Sequence, residues 1–498
     1  MFAILASALR RKVTRRKSSM ANPVHMTGRQ KMMLILLLGA QFMLSVDFSI
    51  LNVALPEIGR GLHFNLANLQ WIATSFSLVA AGFTLFFGRI ADFFGRRRLF
   101  VGSMILLAFG SLLGGLATTP EMMIIARIAQ GFATAMVTPV AFALLTTSFK
   151  EGPLRDKALG LNGALLSAGF TVGSVLGGVL TSVLNWRWAF FINIPVALFI
   201  AILTPKYIQK SRGPKASHID APGAISITVA LLALVYGVTS FGESAFTHPL
   251  TAVALVAALV SFIVFWLVER RSRQPLLDLR ILKRRTVKWG NVSLFTVFAL
   301  ETAMVFLTTL YLQKVLGLSP AITGLAFGLM GIAAFIAGVI LPKYIEQIGS
   351  KRTMFVGLMG QGVTTLLLLL VGTNASWLWF VLGVTFVNGF FHMSALVASM
   401  VTATSGANNA DEGAITSLTS MTQLSSISLG IPLMSAVLTE RTNAFAHLSE
   451  KLAVLHSYHD AILVDGLITI AVAGVVALQL RRPKPKTSPA FATQEGLE

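Results

Sequence analysis

Residues 88–98 read Gly88-Arg-Ile-Ala-Asp92-Phe-Phe-Gly95-Arg-Arg-Arg98, and residues 342–352 read Pro342-Lys-Tyr-Ile-Glu346-Gln-Ile-Gly349-Ser-Lys-Arg352. In both stretches an acid precedes a glycine by three positions, and basic residues follow the glycine. Each stretch also follows a long apolar run. The shared pattern indicates an internal repeat, with each copy placed just after a helix that could cross a membrane.

The apolar residues of the chain are collected into long runs. Of the 498 residues, 55% are hydrophobic and 12% are charged, and the mean hydropathy is +0.75. A soluble domain carries about 25% charged residues, and a membrane-spanning helix needs roughly 20 consecutive apolar ones. The sequence therefore predicts an all-α integral membrane protein with fourteen spans, near residues 32–54, 70–88, 99–118, 122–148, 157–181, 188–204, 219–238, 249–268, 289–312, 321–342, 353–371, 377–402, 412–437 and 459–480.

The basic residues are concentrated in alternate connections between these spans. The formal net charge is +20, and 34 of the 40 Lys and Arg residues fall in the two termini and the even-numbered connections. Basic loops mark the cytoplasmic side of a membrane protein. We therefore predict that both termini are cytoplasmic, and we attribute the charge to topology and not to nucleic-acid binding.

The repeat divides the chain into sections. A basic cytoplasmic N-terminus (1–31) precedes a six-helix half (32–204), and a second six-helix half (289–480) precedes a cytoplasmic tail (481–498). The linker between the halves (205–288) contains two extra spans. Two repeated halves favour a transporter that rocks about a site near the middle of the membrane.

The segment 88–98 resembles the cytoplasmic signature of the major facilitator superfamily. The resemblance implies that Asp92 and its basic neighbours hold the two halves in one conformation. The alternative is a structural role, since Gly88 and Gly95 permit a tight reversal between helices and a carboxylate can pair with arginines. The residues concerned are Gly88, Arg89, Asp92, Gly95, Arg96, Arg97 and Arg98.

The fifth span is rich in glycine. Gly169, Gly173 and Gly177 share one helical face, and a second face carries Gly160, Ser174 and Gly178 among other small residues. Such faces let neighbouring helices approach closely. The spacing resembles the antiporter signature of the superfamily, with Ser174 at the position of the family's proline. Close packing and a role in coupling both remain open.

Two charged residues lie inside the first half. Arg127, in the fourth span, shares a face with Gln130 and Thr134, and an arginine within lipid is expected to face the bundle interior. The segment 127–131 resembles a family motif whose arginine supports proton transfer, although a structural ion pair is the alternative. In the first span Gln41 and Asn52 lie on a polar stripe from which Asp47 points away. Asp47 is thus a proton site or a packing carboxylate.

Glu301 lies midway along the ninth span, on a face that includes Thr308. Ionisable residues within a membrane are candidates for function, so Glu301 could bind a proton or attract a cationic substrate. Asp465 is expected near the membrane interface, and His392 is expected to be a hydrogen-bonded packing residue. No metal site is expected, because the chain has no cysteine and His447, His456 and His459 are loosely spaced.

Together with residues 47–56 and 186–195, these motifs resemble the fourteen-spanning drug:proton antiporter family. The resemblance implies multidrug efflux, the export of lipophilic or cationic organic compounds in exchange for protons across a bacterial inner membrane. It implies no cofactor, with the proton gradient as the energy source, and a monomer in the lipid bilayer. The candidate cavity residues are Gln41, Asn52, Gln130, Thr134 and Thr308.

Other functions fit less well. The chain has no phosphate-binding G-x-x-x-x-G-K-[ST] loop, which argues against an ATP-driven pump, and it shows no nucleophile–base cluster expected of an enzyme. An exporter of one metabolite, a sugar or organic-anion carrier, and a peptide symporter are the alternatives within transporters.

Overall fold

The computed structural model describes residues 26–64, 66–149, 153–209, 221–244, 249–272, 280–405, 412–445 and 447–480. Within these ranges the regular structure is helical, and fourteen long helices follow one another. They are α1 (Gly28–Gly61), α2 (Trp71–Phe94), α3 (Arg96–Gly115), α4 (Pro120–Ser148), α5 (Pro153–Val183), α6 (Asn193–Tyr207), α7 (Ala221–Ser244), α8 (Pro249–Arg271), α9 (Arg285–Leu310), α10 (Pro320–Ile348), α11 (Ser350–Leu367), α12 (Trp377–Thr404), α13 (Glu412–Ala444) and α14 (Glu450–Gln479).

Twelve of the described helices are long and apolar enough to cross a membrane. The other two, α2 and α5, contain shorter apolar stretches at Trp71–Thr84 and Ala168–Val183. An all-α membrane fold is therefore confirmed. The fourteen predicted spans each coincide with a long helix, and fourteen crossings stay a prediction.

Local sequence explains where several helices begin. Thr27 and Gln30 form a reciprocal cap at the start of α1, which satisfies backbone N–H groups that have no partner within the helix. Thr119 and Ser319 accept hydrogen bonds from the backbones of Met122 and Ile322, and a proline follows each of them. Proline suits the first helical turn because its missing N–H would be unpaired there.

The two copies of the repeated loop have the same backbone conformation. Gly95 separates α2 from α3 with φ of 93°, and Gly349 separates α10 from α11 with φ of 89°. This region of φ strongly favours glycine. The repeated glycine thus ends one helix and starts the next in both places.

The helices contact one another in a repeated pattern. In the first six, α1 packs on α5, α2 on α4, and α3 on α4 and α6. In the last six, α9 packs on α13, α10 on α12, and α11 on α12 and α14. The two groups meet where α5 contacts α10 and where α2 contacts α13, and α7 packs on α8, α2 and α13. Each of these contacts within the first six helices has a counterpart eight helices later.

The buried core differs between the two sides of the molecule. We call the side where α1 begins and α14 ends the terminal side, and the opposite side the far side. On the far side one core cluster joins both groups of helices, including Leu55 of α1 and Leu307 of α9. On the terminal side the described residues form separate clusters, one from α1–α6 and another from α9–α12 and α14.

Hydrogen bonds also cross between the groups of helices. Gln313 donates its side-chain amide to the Val53 carbonyl at 2.9 Å on the far side. The Ser428 hydroxyl donates to the Ser77 carbonyl at 2.8 Å, joining α13 to α2. Ser182 accepts from the Ala321 backbone at 3.0 Å, joining α5 to α10. On the far side the two groups are therefore joined by both apolar packing and hydrogen bonds.

Candidate functional site

A buried carboxylate lies at the centre of the first six helices. Asp47 of α1 has no exposed surface. One of its oxygens accepts from the Arg127 guanidinium at 3.2 Å. The other accepts from the Gln130 side chain at 3.2 Å and from the Asn193 side chain. Asp47 points away from the polar stripe of its own helix, as the sequence pattern predicts, and its partner is Arg127.

Arg127 connects this carboxylate to two further helices. Its Nε donates to the Ile72 carbonyl of α2 at 2.9 Å, and its guanidinium carbon lies 4.2 Å from the centre of the Phe76 ring. Its Nη1 donates to Gln130 at 2.6 Å, and Gln130 in turn donates to Ser111 of α3 at 2.9 Å. A buried ion pair whose members are also hydrogen-bonded lowers the cost of placing charge away from water. The network links α1, α2, α3, α4 and α6 and carries no net charge.

A second buried carboxylate lies in the last six helices. Glu301 of α9 is 7% exposed and accepts a hydrogen bond from the Gln361 amide at 3.0 Å. His392 of α12 lies with Nδ1 3.5 Å from the same Glu301 oxygen, outside hydrogen-bond geometry. The other oxygen, Oε1, has no hydrogen-bond partner among the described residues. Unlike Asp47, Glu301 has no Lys or Arg partner in the described part of the chain.

Around Glu301 the polar side chains continue across α11, α12 and α14. Asn388 donates to Thr364 at 2.9 Å and to Thr365 at 3.3 Å. Asp465 is 1% exposed and lies on α14, which packs on α9 and α11, and its carboxyl interacts electrostatically with that of Glu301. The expectation that Asp465 lies near the interface is wrong, because α14 begins at Glu450, nine residues before the predicted span, and Asp465 falls midway along it.

His392 faces Glu301 on one side and packs its ring edge-on against Phe298, with ring centres 6.1 Å apart. The side chain is therefore part of the polar cluster around Glu301 as well as a packing residue.

In the part of the chain that the structure describes, no group of three potential ligands could hold a metal ion.

The small residues of α5 contact two different helices. A side chain added at Gly173 or Gly177 would overlap the backbone of α1 at Val46 or Ile50. On the other face, one added at Gly178 would overlap Ala321 of α10. Ser174, in place of the family's proline, returns its hydroxyl to the Phe170 carbonyl at 2.9 Å. The helix thus stands between α1 of its own group and α10 of the other, while the surroundings of Gly160 lie outside the described residues.

The segment 88–98 makes its described contacts within the first six helices. Arg97 donates to the carbonyls of Pro205 and Ile208 at the end of α6, both at 3.2 Å. Arg98 is exposed, and Arg96 is half-buried. The side chains of Arg89 and Asp92 lie outside the described residues. Arg97 therefore fixes α3 to α6, and its described bonds do not reach the other half.

The cavity candidates have separate surroundings. Gln41 and Asn52 are buried, and Asn52 returns its amide to the Phe48 carbonyl at 3.2 Å. Thr308 lies 3.5 Å from the Tyr458 hydroxyl, and Tyr458 stacks on Tyr311. Thr134 is buried with a hydroxyl that lacks a described partner. Gln130 belongs to the Asp47–Arg127 network.

Sequence reasoning missed the amide partners Asn193, Gln361 and Asn388. One signal could have pointed to the second cluster. Gly349 follows Gly95 by 254 residues, and Glu301 follows Asp47 by the same number. The two buried acids therefore occupy equivalent positions in the repeat.

Comparisons with known proteins agree with this architecture. A model of the Major Facilitator Superfamily matches residues 37–431. The puromycin resistance protein pur8 of Streptomyces alboniger is 32% identical over 458 residues, covering 90% of this chain and 88% of that protein. The cephamycin export protein CmcT of Amycolatopsis lactamdurans is 32% identical over 331 residues, covering 65% and 68%. A crystal structure of the peptide transporter POT in complex with sulfate superposes with a TM-score of 0.65 at 16% identity, covering 90% of this chain and 95% of that one, and shares its fold.

Proposed function

The chain belongs to the Major Facilitator Superfamily, and from its buried acids we propose that it exports small organic compounds across a membrane in exchange for protons. The observation that carries the proposal is Glu301. It is buried in a helix that is long and apolar enough to cross a bilayer, without a Lys or Arg partner among the described residues. A carboxylate within a membrane is costly, and it is typically found where protons or substrates pass.

The uneven pairing of the two acids suggests separate roles. Asp47 is paired with Arg127 and surrounded by donors, so its network is stable without a ligand. Glu301 has an unpaired oxygen, and the described groups beside it are neutral donors, a histidine and the carboxyl of Asp465. A proton or a cationic group on a substrate would supply the missing partner. Glu301 is therefore the acid at which the two compete.

The core packing supports a conformation open towards the terminal side, with the far side closed. From the distribution of basic residues, we propose that the terminal side is cytoplasmic. The relatives from Streptomyces and Amycolatopsis support a bacterial plasma membrane. In this conformation Glu301 releases its proton to the cytoplasm and receives a cationic substrate. The halves then rock about the two repeated loops, and an external proton displaces the substrate outwards.

The proton gradient supplies enough energy for this exchange without a cofactor. At about 150 mV, each net charge that moves inwards releases about 3.5 kcal/mol, enough for a substrate gradient of a few hundred-fold. A one-for-one exchange of a proton for a monovalent cation moves no net charge, and each pH unit of the proton gradient drives it with about 1.4 kcal/mol. We propose a monomer as the working unit. Small molecules resembling antibiotics are the proposed substrates, because the relatives are described as a puromycin resistance protein and a cephamycin export protein. The negative charge of Glu301 favours cationic members of this group. The second candidate function is the export of a single compound, because one relative is described as a cephamycin export protein.

The test uses inside-out vesicles with an acidified lumen and a pH-sensitive dye. Puromycin and a panel of lipophilic cations are added, and the lumen is expected to become more alkaline as protons leave. Glu301→Gln should abolish the response at equal protein content. Glu440→Gln, the same change at an exposed position near the end of α13, is the matched control and should respond as the unmodified protein does.

No response to any cation from the unmodified protein would contradict proton-coupled cation export. A response to one compound alone would favour the single-compound exporter. A full response from Glu301→Gln would remove Glu301 from the proton path.

A further inference from the structure

The correspondence between the halves extends beyond the two acids. A side chain added at Gly131 of α4 would overlap the Phe76 carbonyl, and one added at Gly389 of α12 would overlap the Met330 carbonyl. Met330 follows Phe76 by 254 residues, the same number that separates the repeated loops. Gly389 therefore occupies the position of Gly131, and its neighbour Asn388 occupies that of Gln130.

The hydrogen bonds of these amides support the same correspondence. Gln130 donates to Ser111 of α3, and Asn388 donates to Thr365 of α11. Thr365 again follows Ser111 by 254 residues. The contact between the amide and the hydroxyl is thus present in both clusters, while the amide that donates to Glu301 is Gln361 of α11.

Two positions of the second cluster differ in charge from the first. Arg127 lies three residues before Gln130, and the residue three before Asn388 is Thr385. Asn193 lies 14 residues before the end of α6, and Asp465 lies 14 residues before the end of α14. The second half therefore lacks the arginine, and it carries a second carboxyl where the first half has an amide donor.

The surroundings of Asp465 supply little positive charge. A side chain added at Gly362 of α11 would meet the Gly466 carbonyl of α14 at 3.1 Å, so the neighbouring residues Gln361 and Asp465 lie on packed turns, and Gln361 donates to Glu301. Glu301 and Tyr458 interact electrostatically with Asp465, and His392 of α12 reaches the cluster through Glu301. Residues 353–367 of α11 and 413–439 of α13, which pack on α14, contain no charged side chain. Asp465 Oδ2 and Glu301 Oε1 both lack a hydrogen-bond partner among the described residues. A proton on either carboxyl would provide a donor that the cluster otherwise lacks.

We propose that Glu301 and Asp465 form one proton-binding site, in which a single proton is shared by two carboxyls and is released when a cationic substrate binds. The inference rests on the proposed proton-coupled export, and it assigns Asp465 a role in coupling that equals that of Glu301. Two carboxylates in one dry site cannot both be charged at little cost, so the pair holds a proton until another cation replaces it. Asp47, with its arginine, needs no such proton.

The first test measures protons released in solution, without transport. Purified protein in weakly buffered detergent receives tetraphenylphosphonium, and a pH indicator reports the protons released for each cation bound. The unmodified protein is expected to release about one proton per cation. Asp465→Asn should bind the cation and release almost none, because its amide can donate to Glu301 as Asn193 does to Asp47. Asp460 of α14 forms a partly exposed ion pair with Arg441 of α13, and Asp460→Asn, the same change at that position, should release as many protons as the unmodified protein.

The outcomes separate this inference from the proposed function. Undiminished release from Asp465→Asn, with release lost in Glu301→Gln, would assign the proton to Glu301 alone and overturn the shared site. No release from the unmodified protein, together with no response in vesicles, would overturn the proposed function and the inference with it.

A second measurement needs no variant, in case Asp465→Asn does not fold. Dicyclohexylcarbodiimide reacts with protonated carboxyls in apolar surroundings, and mass spectrometry of peptides locates the adduct. We expect adducts on both the Glu301 and Asp465 peptides, suppressed by tetraphenylphosphonium. An adduct on Glu301 with Asp465 unmodified would overturn the shared site.

Discussion

Arg127→Met removes the cation that pairs with Asp47 while keeping a side chain of similar length. The carboxyl of Asp47 has no exposed surface, so the change leaves it away from water with only the amides of Gln130 and Asn193 as donors. It must then take up a proton or remain charged without a counter-ion, and either costs free energy. Removing one partner of a buried ion pair destabilises a protein by about 3–5 kcal/mol. The lost contact with the Phe76 ring adds about 1 kcal/mol. We expect the free energy of unfolding to fall by about 4–6 kcal/mol.

A double-mutant cycle isolates the ion pair from these other losses. Asp47→Asn alone should also destabilise the fold, because the guanidinium then lies buried beside neutral groups. The double variant should be more stable than the sum of the single effects predicts, with a coupling energy of about 2–3 kcal/mol. Unfolding in mixed micelles, with increasing dodecyl sulfate and tryptophan fluorescence as the signal, measures all four proteins.

Arg187→Met is the matched control for this cycle. Arg187 also binds backbone carbonyls, those of Gly115 and Ala117, and lies over the Trp186 ring, but it shares no partner with Asp47 in the described structure. Its effect should add to that of Asp47→Asn within about 0.5 kcal/mol. A coupling energy between Asp47 and Arg127 as small as that of the control would refute the argument that the pair stabilises the first half.

Two further predictions concern the glycines. Gly173→Leu should destabilise the fold and abolish export, because the new side chain would overlap Ser49 and the backbone of Val46. A side chain at Gly102 meets open space, so Gly102→Ala should behave as the unmodified protein does in the same unfolding and vesicle assays. Gly95→Ala and Gly349→Ala should each lower the free energy of unfolding by about 1–2 kcal/mol, since both glycines have positive φ. If the turns have a structural role alone, transport per folded molecule should equal that of the unmodified protein. Loss of export without loss of stability would instead support a role for these loops in the rocking of the halves.

The apolar runs were enough to predict the helices, because a bilayer selects helices by length and hydrophobicity alone. They were less informative about the residues at which the helices begin and end. The last helix begins at Glu450, nine residues before the predicted span. The sequence did not show this start because the first turns, which include His456 and His459, are too polar to stand out as a membrane span. That difference moved Asp465 from the expected interface to the middle of α14.

The partners of the buried acids could not be read from the sequence in the same way. Asp47 and Arg127 are 80 residues apart, and their contact depends on how α1 and α4 are rotated against each other. Helical periodicity gives the face of each side chain on its own helix, and the rotation between helices is set by side-chain packing. Glu301 likewise has no base near it in sequence, yet Nδ1 of His392 on α12 lies 3.5 Å from its carboxyl oxygen.

The repeat is the one feature of the sequence that carries information across these distances. A spacing of 254 residues relates Gly95 to Gly349, Asp47 to Glu301, and Ser111 to Thr365. Equivalent positions that keep the same chemistry, such as the glycines, have the same backbone role in both halves. Equivalent positions that differ, Arg127 against Thr385 and Asn193 against Asp465, change a neutral network into one with two carboxyls and no arginine. The two carboxyls that are proposed to share a proton therefore lie in the second half, and exchanging Asn193 and Asp465 between the halves should disable coupling there, which the vesicle assay measures.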